Sequence, residues 1–92
     1  MAERIARHVL VSGRVQGVAF RAHSRRRAER LGVAGWVRNL GDGRVEAWVE
    51  GPPDAVGGML DWLETGPGGA VVTERSVQDE QPAGHTSFEI RR

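Results

Sequence analysis

The chain contains no cysteine, no lysine and no tyrosine. Without cysteine there is no disulfide framework, no thiolate metal site, no iron–sulfur cluster and no cysteine nucleophile. Without lysine there is no Schiff base, no P-loop lysine and no lysine general base. Long apolar runs are missing too. Near the start the longest is Val9-Leu10-Val11, far short of a signal-peptide core or the roughly 20 residues of a membrane span. The expectation is a cytoplasmic protein with no membrane partner. Charge of one sign is equally scarce: thirteen arginines face twelve acids, for a formal net charge of +1. The pI near 9.0 arises because almost nothing titrates between histidine and arginine. It is no sign of a nucleic-acid partner.

What remains is a soluble globular composition, with 39% apolar and 27% charged residues in 92. That length makes one domain, residues 1–92, with an expected radius of gyration of about 12 Å. So small a core leaves no room for a haem or flavin, and no cofactor is expected.

Hydrophobic periodicity divides the chain. Residues 7–13 read as a strand, followed by a loop bracketed by Gly13 and Gly17. From Phe20 the spacing turns helical through Phe20, Ser24, Arg27/Ala28 and Leu31, and Gly32 ends the helix. Ala34–Leu40 and Arg44–Glu50 form a hairpin through Gly41-Asp42-Gly43. Its second arm puts Val45, Ala47 and Val49 on one face and Glu46, Trp48 and Glu50 on the other. Pro52-Pro53-Asp54 opens a second helix with the stripe Val56, Met59, Leu60 and Leu63, stopped by Gly66-Pro67. Gly57 and Gly58 each weaken it by about 1 kcal/mol relative to alanine. Ala70–Gln78 reads as a strand, Gln81–Gly84 as a turn, and Phe88 and Ile90 mark a short last strand. The βαββαβ order predicts a ferredoxin-like sandwich: an antiparallel sheet, two helices on one face, and an extra C-terminal strand. That fold hosts many activities, so function has to come from a site.

Two features carry chemistry. The loop from Val15 through Gln16, Gly17, Val18 and Ala19 to Phe20 joins a strand to a helix N-terminus. Such a turn can aim consecutive backbone N–H groups at one anion, with Arg21 completing the cradle through its forked guanidinium. Taken alone, it reads more simply as a strand-to-helix connection with two turn glycines, since short glycine loops are common. Asn39 can accept a water proton through its oxygen and donate through its nitrogen; taken alone, it is a residue supporting the following turn. Other candidates read as ordinary structure. His8, His23 and His85 lack metal-ligand spacing, so no metal site is expected. Glu46 and Glu50 read as solvated carboxylates, Trp36, Trp48 and Trp62 as packing residues, and Arg25-Arg26-Arg27-Arg30 as a solvated helix face.

Taken in order, Gly13-Arg14-Val15-Gln16-Gly17-Val18-Ala19-Phe20-Arg21, Gly35-Trp36-Val37-Arg38-Asn39, Asp42-Gly43-Arg44-Val45-Glu46 and Glu50-Gly51-Pro52 closely resemble the acylphosphatase family. The likeness spans nearly the whole chain. It implies a ferredoxin-like α/β sandwich that hydrolyses carboxyl-phosphate mixed anhydrides to a carboxylate and phosphate without a metal. The family's phosphate-binding arginine falls on Arg21, its water-orienting asparagine on Asn39 and its phosphate loop on Val15 to Phe20. The implied partners are a small-molecule acyl phosphate, with inorganic phosphate or sulfate as product or inhibitor, acting on a monomer. Departures are Ala19, where many members carry a bulkier residue, the Gly57-Gly58 pair, and a C-terminal strand matched only through Phe88 and Ile90. Two rivals use other classes of function. An RNA-binding domain needs aromatics on the central strands, and the first strand has none. An anion-sensing domain would have lost turnover, yet both catalytic positions are filled.

Overall fold

The computed structural model describes residues 3–92. The elements are β1 (Ile5–Arg14), α1 (Phe20–Leu31), β2 (Ala34–Asn39), β3 (Val45–Gly51), α2 (Pro53–Thr65), β4 (Val71–Glu80) and β5 (Phe88–Arg91). They build one five-stranded sheet in the order β4-β1-β3-β2-β5, with a radius of gyration of 12.0 Å. The β4-β1-β3-β2 part is antiparallel throughout, as the ferredoxin-like order requires. β5 departs from the expected antiparallel sheet, because it pairs parallel to β2, with Gly35 opposite Phe88 and Arg38 opposite Arg91. Segment 81–87 takes the chain from the β4 edge to the β2 edge, so β5 enters in the direction β2 runs. Among the described residues, no helix is long and apolar enough to cross a membrane.

The core lies between the helices and one sheet face. Val9 and Val11 of β1, Val37 of β2 and Val45, Ala47 and Val49 of β3 meet Phe20 and Ala28 of α1 and Val56, Met59 and Leu63 of α2. Each large side chain withdrawn from water contributes about 1.5–3 kcal/mol. Strand alternation and helical periodicity thus select the same face. β1 and β4 run longer than the sequence pattern indicates, because their ladder continues from Ala6↔Glu80 to Arg14↔Val71. A register shift interrupts that ladder between Ser12 and Gly13. Gly13 has φ +121°, and a Cβ there would lie 2.1 Å from the Val71 carbonyl oxygen. Only glycine fits, and this bulge releases the chain into the loop before α1.

The glycine pair in α2 has two different environments. A Cβ on Gly58 would touch the Leu31 side chain at 3.5 Å, whereas one on Gly57 would meet nothing within 4 Å. Gly57→Ala is therefore expected to stabilise the protein by about 0.5–1 kcal/mol. In a chain of this size that raises Tm by about 3–6 °C, measurable by thermal denaturation. An unchanged or lower Tm would contradict an open helix position.

The helix-free face carries Glu46, Trp48 and Glu50, and both carboxylates correct the expectation of solvated groups. Glu46 is half-buried and accepts from Arg38 Nε, with His8 Nε2 2.7 Å from its other oxygen. Burial raises the Glu46 pKa, but the contacts with His8 and Arg38 outweigh it and hold the carboxyl below its usual range. Glu50 is 0% exposed. The tryptophans do pack: Trp62 against Phe20 with ring centroids 5.7 Å apart, Trp36 beneath the Arg38 and Arg91 guanidinium groups, and Trp48 beside His85.

Candidate active site

The loop between β1 and α1 is held at both ends by its own apolar residues. Val15 is fully buried and Phe20 is 2% exposed, so the intervening residues bridge two fixed points. Gly17 (φ +75°) and Ala19 (φ +58°) are both left-handed, with Val18 between them at negative φ. Alternating handedness of this kind turns successive N–H groups toward one side, the backbone pattern of anion-binding nests in general. Ala19 is the N-cap of α1 and makes no side-chain cap. For a residue with a Cβ this conformation costs about 1–2 kcal/mol. Among the described residues, no loop or side-chain acceptor takes a backbone N–H from Gln16 to Ala22. The first turn of α1 contains no acidic residue, so nothing offsets the positive end of the helix dipole.

These groups open onto a recess of about 220 Å³. Gln16, Gly17, Ala19, Phe20 and Arg21 line one side, and Asn39 and Ile90 reach it from β2 and β5. Larger recesses, of about 660, 380, 270 and 230 Å³, contain neither Arg21 nor Asn39. Five of the six predicted loop residues line the small recess together with Arg21 and Asn39. Val18 is the exception: its side chain packs beside the core.

Arg21 donates through Nη1 to the Arg91 carbonyl oxygen at 3.3 Å, and among the described residues no carboxylate pairs with it. Its charge therefore faces an acid-free recess. Asn39 ends β2, opposite Val45. The turn after it closes without its side chain, through Leu40 N–H to Arg44 O at 2.8 Å and Arg44 N–H to Asp42 Oδ1 at 3.1 Å. The N–H of Arg44 holds the Asp42 carboxyl below its usual pKa range, with burial opposing and the Arg44 guanidinium assisting. A turn-supporting role thus leaves the Asn39 carboxamide unused.

Gln16 has a part that motif reading missed. Its Nε2 donates to Leu40 O at 2.8 Å and to Arg44 O at 2.9 Å, tying the loop to the hairpin that carries Asn39. Those acceptors lie 24 and 28 residues away in sequence, so only the residue type was visible beforehand. Among the described residues, no group of three or more His, Cys, Asp or Glu side chains could hold a metal ion.

The fold is a ferredoxin-like sandwich, and one recess brings together the backbone of the loop before α1, the Arg21 guanidinium and the Asn39 carboxamide. The acylphosphatase family model matches residues 7–90. An acylphosphatase of Gloeobacter violaceus is 56% identical over 100% of this chain and 99% of its own length. One of a Synechococcus strain is 53% identical over 99% and 97%. The solved acylphosphatase of Bacillus subtilis superposes with a TM-score of 0.92 at 37% identity, covering 96% of this chain and 99% of that one. That of Coxiella burnetii also gives 0.92, at 38% identity over 96% and 93%. The chain belongs to the acylphosphatase family of hydrolases.

Proposed function

We propose that this protein hydrolyses the carboxyl–phosphate bond of small acyl phosphates without a metal or other cofactor. One observation carries the reading: Arg21, Asn39 and the unpaired loop N–H groups share a recess that no acid or histidine lines. That composition suits this bond. The departing carboxylate has a conjugate-acid pKa of about 4, so it leaves as an anion and needs no general acid. The remaining tasks are neutralising charge on the phosphoryl oxygens and placing one water in line. The loop N–H groups of Gln16 to Phe20 and the Arg21 guanidinium serve the first task. Asn39 serves the second, accepting a hydrogen bond from the water through Oδ1. The water oxygen attacks phosphorus, the bond to the acyl oxygen breaks with its electron pair leaving on the carboxylate, and a phosphoryl oxygen takes the water proton. Every proposed group comes from one chain, so a monomer suffices for the reaction, and the backbone cradle grips only the phosphate end.

The test is phosphate release from benzoyl phosphate in excess EDTA, compared with spontaneous hydrolysis. Turnover should be unaffected by chelation. Activity lost to EDTA and restored by Mg²⁺ or Zn²⁺ would overturn the metal-independent reading. Inorganic phosphate should inhibit competitively and raise Tm at constant ionic strength, because it binds only the folded cradle; at 100 times Kd the stabilisation is about 2.7 kcal/mol.

A further inference from the structure

Glu50 and Ser24 are the only polar residues that are fully buried among the described residues, and Glu50 is the only ionisable one of the two. Its carboxylate is surrounded by donors. Oε1 accepts from Trp48 Nε1 at 2.8 Å and from the N–H of Ala83 at 3.0 Å; Oε2 accepts from the N–H groups of Gly84 and His85, each at 3.0 Å. Arg4 Nη2 adds a longer contact at 3.5 Å. Only an acceptor-only group satisfies such a set. Burial raises the pKa of this carboxyl, but the donors prevail and hold it below the usual glutamate range.

The three backbone donors belong to segment 81–87, which has no helix or strand of its own and leads directly into β5. That strand has four residues and a single neighbour, β2. Only Phe88 of the four is buried. β5 nonetheless delivers two parts of the recess: the Ile90 wall and the Arg91 carbonyl that holds Arg21. Glu50 cannot touch a substrate there. It pairs with Ala34 at one end of β2, whereas Asn39 lies at the other, about 17 Å along the strand.

We propose that Glu50 is a positioning residue for phosphoryl binding: it clamps the backbone of residues 83–85, which fixes β5, and the Arg91 carbonyl then sets the Arg21 guanidinium. This rests on the reading of Arg21 as the phosphoryl ligand. Asn39 is held by β3 rather than β5, so the clamp acts on binding and spares the attacking water. Glutamine at position 50 replaces one acceptor oxygen with an amide donor that faces N–H groups, and so breaks the clamp while keeping the volume.

Wild type, Glu50→Gln, Arg21→Lys and the double variant are compared for kcat and KM with benzoyl phosphate and for the inhibition constant of inorganic phosphate. All are measured well below each Tm. Glu50→Gln should raise KM and the inhibition constant about tenfold, with a fall in kcat smaller than that of Arg21→Lys and faster hydrogen exchange at Phe88–Arg91. The double variant should bind phosphate hardly worse than Arg21→Lys, since both act on one contact. A merely structural role would lower Tm and leave the inhibition constant at the wild-type value, which would overturn the proposal; so would independent, multiplying effects. If Glu50→Gln does not fold, Trp48→Phe removes one donor and should raise the constant two- to threefold, and an unchanged value overturns the clamp. Arg21→Lys with wild-type phosphate binding would overturn the site reading itself, and the clamp with it. Arg21→Lys impaired beside an unimpaired, folded Glu50→Gln would overturn the clamp alone.

Discussion

Asn39→Ala is expected to lower kcat by on the order of 10²-fold or more while changing the inhibition constant for phosphate less than about threefold. The asymmetry follows from what the carboxamide is proposed to do. A group that orients the attacking water contributes as the new oxygen–phosphorus bond forms, and little to a bound phosphate. The substitution should leave the fold intact. Leu40, Asp42 and Arg44 close the turn without the Asn39 side chain, and the backbone pairing of Asn39 with Val45 does not depend on it. Steady-state kinetics with benzoyl phosphate, with circular dichroism to verify folding, decides the matter. Should the folded variant lose phosphate affinity while kcat holds, Asn39 belongs to the anion cradle, and water is placed by another group.

Arg21→Lys should damage both binding and rate. Hydrogen bonds to charged groups contribute about 1.5–3 kcal/mol each, so losing one weakens phosphate binding roughly 10- to 100-fold. Lysine keeps the charge but not the planar fork. In the present geometry Nη1 of Arg21 is engaged by the Arg91 carbonyl, which leaves the other guanidinium donors for the proposed phosphoryl contacts. An ammonium group has no rigid plane for β5 to orient. The expected result is a rise in KM and in the phosphate inhibition constant together with a fall in kcat. A variant with wild-type affinity and rate would show that the loop N–H groups suffice and that Arg21 is dispensable.

The two variants therefore separate along different axes. Asn39→Ala lowers kcat at nearly constant phosphate affinity, and Arg21→Lys moves both. Gln16 joins their two halves physically, because its carboxamide spans from the loop to the hairpin carbonyls of Leu40 and Arg44.

Local pattern was enough to locate every helix and strand, though not the full length of β1 and β4. Alternation in β3, the helical spacing of Phe20, Ser24 and Ala28, and the turn chemistry of Gly41-Asp42-Gly43 each depend on residues a few positions apart. The buried face of β3 followed from the same alternation, since Val45, Ala47 and Val49 do lie against the helices. The motif residues Arg21 and Asn39 were also legible, because their types and flanking residues are local properties. Only tertiary structure decided the rest, and each case involves partners distant in sequence. β5 could not be oriented from four residues; its parallel direction depends on which sheet edge segment 81–87 reaches. Glu50 read as a solvated carboxylate because a glutamate on the face opposite the core usually meets water. Its burial comes from Ala83, Gly84 and His85, more than 30 residues further on. The chain alone determined which side chains are candidates for chemistry, since that is a matter of functional groups and local backbone. Their assembly into one acid-free recess was decided by the closing of β1, β2 and β5 around it, because long-range pairing energies leave no local trace in the sequence.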